Sequence, residues 1–464
     1  MIIYATESLP SGMHREEERV PMSRPRWVAF VAVLGAFMLA AAGCANKDEG
    51  GGGGGGGAQA ADCSADQFGC LTVGSGEPIK IGTLLSITGD NRSLGVDSQR
   101  GVVLAVDNLD GKLDGKPGQL MGHNIELVNT DETCSKEGGQ AGATKLAADP
   151  KLLSVIGTSC SSAALGVADT IFSKKGILLV SPSNTNPALT SEAQHQPFYL
   201  RTAHNDRIQG AVVSDFAQQK LKAKTAATVH DESPYSDGLA AVFREVFEKQ
   251  GGKITNNEAV QSTDRDMKPV LNSIAQNKPD FIYYPAFNPV CGLIVKQAQA
   301  IPALKNTALL GSDGCAAPEY VKVGGKATYG TWSSSPDVTA QTSGNAFYGQ
   351  QFLPAYQKEF GERPISVFNA HAFDAFNILA EAIKKTATDD GGTLTIPRTK
   401  LKDEIFKTSD YKGLSGTLTC TPLGDCATAV SIAVYKVPDW PIEGGTANPK
   451  PVFTETKTLA EASA

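Results

Sequence analysis

From Pro78 onward, apolar runs of four to seven residues alternate with amphipathic stretches of helical period, and this alternation restricts the fold more than any other feature of the chain. The strand-like runs are Ile79–Leu85, Ile125–Asn129, Leu153–Ile156, Ile177–Ser181, Thr225–His230, Phe281–Tyr284 and Ala308–Gly311. Helical stretches lie at Gln99–Leu109, Gly138–Ala148, Ala163–Lys174, Asp206–Gln219, Ser236–Gln250, Met267–Asn277 and Gly292–Ala300. Short apolar strands separated by helices imply parallel sheets covered on both faces. Two successive βαβ series, each filling about 120 to 130 residues, predict two doubly wound α/β lobes. Residues 366–384 continue with apolar residues at helical spacing. Gly416–Thr419 and Ala429–Val437 read as a late hairpin closed by Cys420 and Cys426.

The N-terminal region sets the expected compartment. Arg24 and Arg26 precede an apolar run, Trp27–Ala42, which closes on Ala41-Ala42-Gly43-Cys44. A basic start, an apolar stretch and small residues before the cut describe a secretory signal peptide. The cysteine that follows resembles the lipobox of bacterial lipoproteins, although Ala41 stands where Leu is more typical. The run is short for a membrane span of ~20 residues. Residues 1–21 are acidic and polar, so translation is expected to start at Met22 and residues 1–43 to be removed. Eight consecutive glycines, Gly50–Gly57, cannot join a core and read as a leash. Residues 44–77 as a flexible tether would reach roughly 30 Å. The 421 residues beyond the signal are natural for two domains. No second apolar run approaches a span, so the expectation is a soluble body, lipid-anchored through Cys44 on the outer face of the cytoplasmic membrane. A net charge of −7 argues against nucleic-acid partners.

Nine cysteines leave eight once Cys44 is set aside, and these admit many pairings. Cys63 with Cys70, and Cys420 with Cys426, flank short polar loops suited to local bridges. Cys134 and Cys160, then Cys291 and Cys315, sit around consecutive βα units, where strand ends lie side by side. A zinc site is the rival, but there is no CxxC pair and the six histidines are scattered. Four disulfides, with neither metal nor cofactor, are the expectation.

In open parallel sheets ligands sit beyond the C-terminal strand ends, where helices begin. That rule singles out Gly157-Thr158-Ser159-Cys160-Ser161-Ser162 and Ser181-Pro182-Ser183-Asn184-Thr185-Asn186-Pro187 in the first lobe. Both are rich in hydroxyls ahead of a helix, which suits either plain N-capping or an anion cradle. The matching end of the second lobe carries His230–Gly238, Pro285–Pro289 and Gly311–Cys315. Asp313 there suits an ammonium, or an Asx turn before Gly314.

These segments resemble the branched-chain amino-acid receptors, the type I periplasmic solute-binding proteins of ABC importers. The likeness runs from about Ile79 to Val437 and is most specific at Ile81–Gly101, Ile156–Thr190, Val229–Gly238 and Asp280–Gly314. It implies two Rossmann-like lobes joined by a three-segment hinge, with crossings near Arg201–Asn205, Ser333–Pro336 and Gly413–Gly416. Lobe 1 would comprise residues 78–203 and 336–413, lobe 2 residues 204–335 and 414–440, and residues 441–464 a C-terminal tail. By the same resemblance Ser161, Ser183 and Thr185 match the holders of the ligand carboxylate, and Tyr235 the aromatic that closes on it. Asp313 matches the acceptor of the α-ammonium, and Cys134 with Cys160 a disulfide of leucine-binding relatives. Phe287 stands where a tyrosine is usual, Asp313 where close relatives have glutamate, and Leu94 where an aromatic often lies.

The expected function is capture of one small apolar or branched-chain amino acid by a monomeric receptor that hands it to ABC permease subunits. A receptor for amides, urea or aromatic acids, or a sensory ectodomain, is the alternative. Catalysis is not expected: the chain has no G-x-S-x-G elbow and no H-E-x-x-H motif.

Overall fold

The computed structural model describes residues 63–338, 345–445 and 449–463. Cys44, the signal segment and the glycine run lie outside the described residues. In chain order the strands are β1 (Cys70–Val73), β2 (Ile79–Leu85), β3 (Gln119–Leu120), β4 (His123–Asp131), β5 (Leu152–Gly157), β6 (Leu178–Ser181) and β7 (Tyr199–Arg201). There follow β8 (Thr225–His230), β9 (Lys253–Ala259), β10 (Phe281–Tyr284), β11 (Ala308–Gly311) and β12 (Trp332–Pro336). Last come β13 (Thr388–Asp390), β14 (Thr393–Pro397), β15 (Tyr411–Lys412), β16 (Thr417–Leu418), β17 (Ala429–Lys436) and β18 (Pro451–Thr458).

Lobe 1 is a six-stranded sheet in the order β3-β4-β2-β5-β6-β7, parallel except for β3. Every residue of β5 and β6 is buried, which is why they read as unbroken apolar runs. Lobe 2 is a seven-stranded sheet in the order β18-β17-β12-β11-β10-β8-β9, parallel from β12 to β9, with β17 running antiparallel to both its neighbours, β12 and β18. Chain order reverses between β2 and β5 in lobe 1, and between β8 and β10 in lobe 2. The loops after these four strands are therefore the switch points where α/β sheets hold ligands.

Helices cover the sheets as the apolar spacing requires. Helix Arg92–Asp107 crosses helix Asn369–Thr386 so closely that a Cβ on Gly101 would stand 2.1 Å from the Asn369 carbonyl oxygen. Asp97, fully buried, fixes the same contact by accepting from the backbone N–H groups of Ile365 and Asn369 and from the Tyr356 hydroxyl.

The four disulfides Cys63–Cys70, Cys134–Cys160, Cys291–Cys315 and Cys420–Cys426 are present as expected. Four boundaries differ from expectation. Residues 63–77 are not leash: β1 pairs with β14, Phe68 packs edge-on against Phe198 at 5.0 Å, and Asp66 accepts from the N–H groups of Thr399 and Lys400. The hairpin of 416–419 with 429–437 does not form. β16 pairs with β15, and β17 lies between β12 and β18. The third crossing falls between Ala427 and Ala429 rather than at Gly413–Gly416. Leu414, Leu418, Cys426 and Ala427 are buried in the lobe 1 core, and Asp374 accepts from the N–H groups of Leu414 and Ser415. Finally, residues 451–458 of the expected tail are β18, a full strand of lobe 2.

The first crossing, Thr202–Asn205, leads from β7 into helix Asp206–Asp215, whereas Ser333–Pro336, expected as the second crossing, lie within β12, paired with β11 and β17. Arg201 locks the first crossing to the third: its backbone pairs with Gly424 and Cys426, and its Nε donates to Asp425 Oδ1 at 2.7 Å.

Candidate ligand-binding cleft

On the lobe 1 side the loops after β2, β5 and β6 are knitted together by side chains. Thr158 Oγ1 donates to Asn184 Oδ1 at 3.0 Å, Asn184 Nδ2 returns a bond to the Thr158 carbonyl at 3.0 Å, and Ser159 Oγ accepts from the Ser86 N–H at 3.0 Å. The Ser183 hydroxyl donates to the Ser159 carbonyl at 3.0 Å, so it ties one loop to the other. Ser161 Oγ only accepts, from the Asn186 N–H at 3.4 Å, which leaves its own proton to give. The hydroxyls of Thr185 and Ser86 are buried without a hydrogen-bond partner. Beneath them Glu132 accepts from the Cys160 N–H at 2.9 Å, and burial pushes its carboxyl well above the usual range. The lobe 1 face is thus neutral and offers hydroxyl donors.

Lobe 2 presents the opposite chemistry. The Tyr235 hydroxyl lies 2.9 Å from Asp313 Oδ1 and 2.7 Å from Ser312 Oγ, and it accepts from the Gly314 N–H at 3.2 Å. Ser233 and Pro234 start the helix that carries Tyr235, with Ser233 Oγ accepting from the Ser236 N–H. Phe287 packs on Tyr235 at 4.9 Å between ring centres, and its N–H donates to Asp231 Oδ2 at 2.8 Å. The Cys291–Cys315 bridge ties the turn bearing Asp313 to helix Val290–Ala298.

The lobes meet over this surface. Leu94 and the Cys134–Cys160 pair pack in one cluster with Tyr235 and Phe287. Ser93 Oγ donates to the Glu319 carboxylate at 2.9–3.0 Å, and Asn186 Nδ2 donates to the Pro234 carbonyl at 2.5 Å. Of the six residues singled out in the sequence, Ser161, Thr185, Tyr235, Phe287 and Asp313 border this junction. Ser183 stands one step behind it.

Asp206 was not singled out. It opens the helix after the first crossing and is fully buried, and neither carboxylate oxygen has a hydrogen-bond partner. Burial first, and the charge of Asp313 second, push its carboxyl well above the usual range; the Thr185 hydroxyl eases it without reaching hydrogen-bond geometry. Arg201 also eases it, but that guanidinium is already saturated by Asp425, the carbonyls of Asn184 and Asn186, and Thr190. His204 stands beside it, its Nε2 2.7 Å from Gln209 Oε1, and burial keeps the ring neutral. The sequence signal was Asn205-Asp206 at a helix start. Asn205 alone takes the cap, by accepting from the Arg207 N–H at 3.0 Å, and Asp206 is left to face the cleft.

The sequence profile of the family described as periplasmic binding protein matches residues 78–431, which hold all of these residues and every strand of the two large sheets up to the start of β17. The chain belongs to the periplasmic binding protein family. This binding protein is 26% identical over 314 residues to the leucine-, isoleucine-, valine-, threonine- and alanine-binding protein of Pseudomonas aeruginosa, a match covering 68% of this chain and 80% of the relative. It is 27% identical over 359 residues to a Leu/Ile/Val-binding protein of Rhizobium johnstonii, covering 77% and 91%. Among solved structures, the leucine binding protein LivK of Thermotoga maritima superposes with a TM-score of 0.69 at 26% identity, covering 82% of this chain and 99% of the other. LivJ of Streptococcus pneumoniae, solved with isoleucine, gives a TM-score of 0.66 at 26% identity over 82% and 99% of the two chains. A benzoate complex from R. palustris, at 20% identity, shares the fold, with a TM-score of 0.64 over 80% and 97% of the chains. The relatives are binding proteins, and the two-lobed type I architecture is theirs.

Proposed function

We propose that the protein captures one small amino acid, branched-chain or otherwise apolar, between its lobes and presents it to the permease of an ABC importer. The observation that carries this reading is the polarity of the junction. Neutral hydroxyl donors (Ser161, Thr185, Ser86) stand on one side, and two buried carboxylates (Asp206, Asp313) with no base to spare stand on the other. A zwitterion complements both halves: its carboxylate meets Ser161 and Thr185, its ammonium meets Asp313 and Asp206. Buried charge of one sign is costly unless a counter-charge arrives. An aromatic acid brings no cation and would leave both carboxylates without one. The names of the relatives in Pseudomonas aeruginosa and Thermotoga maritima agree with an amino acid ligand.

In this reading lobe 1 takes the carboxylate first, and closure then adds Tyr235, Phe287 and Asp313, contacts made only in the closed state. The side chain would lie against Leu94, Phe287 and the Cys134–Cys160 pair. Export, processing before Cys44 and lipid attachment there complete the proposal, with the glycine run as a leash. The decisive experiment is a calorimetric panel of amino acids, amides and aromatic acids against the purified body. Apolar amino acids should bind and aromatic acids should not. Binding of benzoate but of no amino acid would replace this reading with the aromatic-acid one.

A further inference from the structure

Asp206 and Asp313 are both buried and the charge of one acts on the other, and neither oxygen of Asp206 has a hydrogen-bond partner. From the first crossing and its helix come Asp206 and neutral His204; from the turn after β11 comes Asp313. Helix Pro234–Lys249 contributes Tyr235, whose hydroxyl bonds Asp313, and β10 contributes Tyr283, whose hydroxyl has no hydrogen-bond partner. Both phenols feel both carboxylates and are pushed well up, by burial first. The loop after β6 contributes the Thr185 hydroxyl, and β7 contributes Arg201, already held by Asp425. Tyrosine and threonine hydroxyls donate hydrogen bonds but no charge. Both carboxyls are buried and the charge of Asp313 acts on Asp206, and burying like charges together is the arrangement in which one group keeps its proton.

We propose that Asp206 and Asp313 share one proton while no cation lies between them, and that an entering ammonium expels that proton. Binding is then an exchange of H⁺ for R–NH₃⁺ at the same two carboxylates, and the net charge at that pair is unchanged. This rests on the amino-acid reading and adds to it the form in which the site accepts its ligand. Protons compete with ligand at low pH, so affinity rises with pH through the titration of the pair and levels off above it.

The test is calorimetry of L-isoleucine and L-alanine in buffers of differing ionisation enthalpy, across acid to mildly alkaline pH. Close to one proton should leave per amino acid bound at the acid end and none at the alkaline end, and affinity should rise by up to tenfold per pH unit between them. In Asp206→Asn, and independently in Asp313→Asn, the proton release should vanish even where weak binding survives. Isoleucine bound with no proton released at any pH would overturn the proposal and leave the amino-acid reading standing. Binding of neither amino acid would count against that reading instead. Carbon-13 titration of the aspartate carboxyls in ligand-free protein then decides the proton alone. A midpoint above the ordinary carboxylate range that disappears in Asp206→Asn supports it, and no such signal overturns it. The comparison with the variant is needed because Asp97, Asp169 and Asp374, elsewhere in the protein, also titrate high.

Discussion

Tyr235 has two tasks at the junction: its ring packs on Phe287, and its hydroxyl orients Asp313 while accepting from the Gly314 N–H. Tyr235→Phe keeps the first and removes the second. Losing a hydrogen bond to a charged group costs about 1.5–3 kcal/mol. Amino-acid affinity should therefore fall by roughly ten- to a hundredfold, with the melting temperature nearly unchanged, as calorimetry and a thermal melt would report. Asp313→Ala should abolish amino-acid binding and leave the fold intact; unchanged affinity would remove Asp313 from the site. Ser161, Thr185, Tyr235, Phe287 and Asp313, which border the junction, could be singled out because they follow strands, in loops whose hydroxyls or aromatics stand out. Asp206 could not, because Asn-Asp at a helix start carries the same local signature whether it caps or faces a cleft. Only the tertiary placement of the crossing separates the two. Ser183 differs in placement: its hydroxyl, in the same loop, is turned to the Ser159 carbonyl.

At the level of elements, the Cys291–Cys315 bridge holds the Asp313 turn on helix Val290–Ala298, across a sequence separation of 24. Replacing both cysteines with serine should lower stability by about 3 kcal/mol on the chain-entropy view. It should also weaken ligand binding more than Tyr235→Phe does, because the whole turn loosens; denaturant unfolding and calorimetry measure the two effects separately. Arg201 and Asp425, both buried, hold the first crossing against the third. Asp425→Ala leaves a buried guanidinium without its partner, and a loss of about 3–5 kcal/mol is expected in denaturant unfolding. Buried parallel strands were legible because both their faces are apolar. β9 (KITNNEA) was missed because it is a half-exposed edge strand with no apolar run. The partners of β17 were misassigned because sequence proximity favours a hairpin with 416–419. Leu414 and Leu418 instead join the lobe 1 core, and β18 supplies the strand.

For the whole molecule, stability should depend on pH in an unusual direction. Burial raises the carboxyls of Asp97, Asp169 and Asp374 from an ordinary 3.8 to about 6. In the unfolded chain each ionises near its ordinary value, while in the folded protein each stays neutral until about pH 6. The stability these neutral acids contribute is complete below pH 3.8 and is lost as pH rises through about 6. Melting temperature should therefore fall as pH rises from about 4 to about 6, and Asp97→Asn should shrink that slope. The two-lobed architecture and its switch points were legible from the alternation of strands and helices alone. The boundaries between lobes were less so, since a crossing is defined by which core its neighbours join.

β18 has a consequence for how copies of this chain meet. It covers the outer edge of β17, where Ile432, Ala433, Val434 and Tyr435 are buried, and its own side chains alternate between partly buried and exposed, with Lys457 and Glu455 among them. Charged, alternating edge strands discourage edge-to-edge pairing with other chains, whereas an apolar strand with unpaired N–H and C=O groups invites it. A chain ended before Pro451 would expose such an edge. Size-exclusion chromatography with light scattering should find it self-associating as concentration rises, under conditions where the full chain stays a single species.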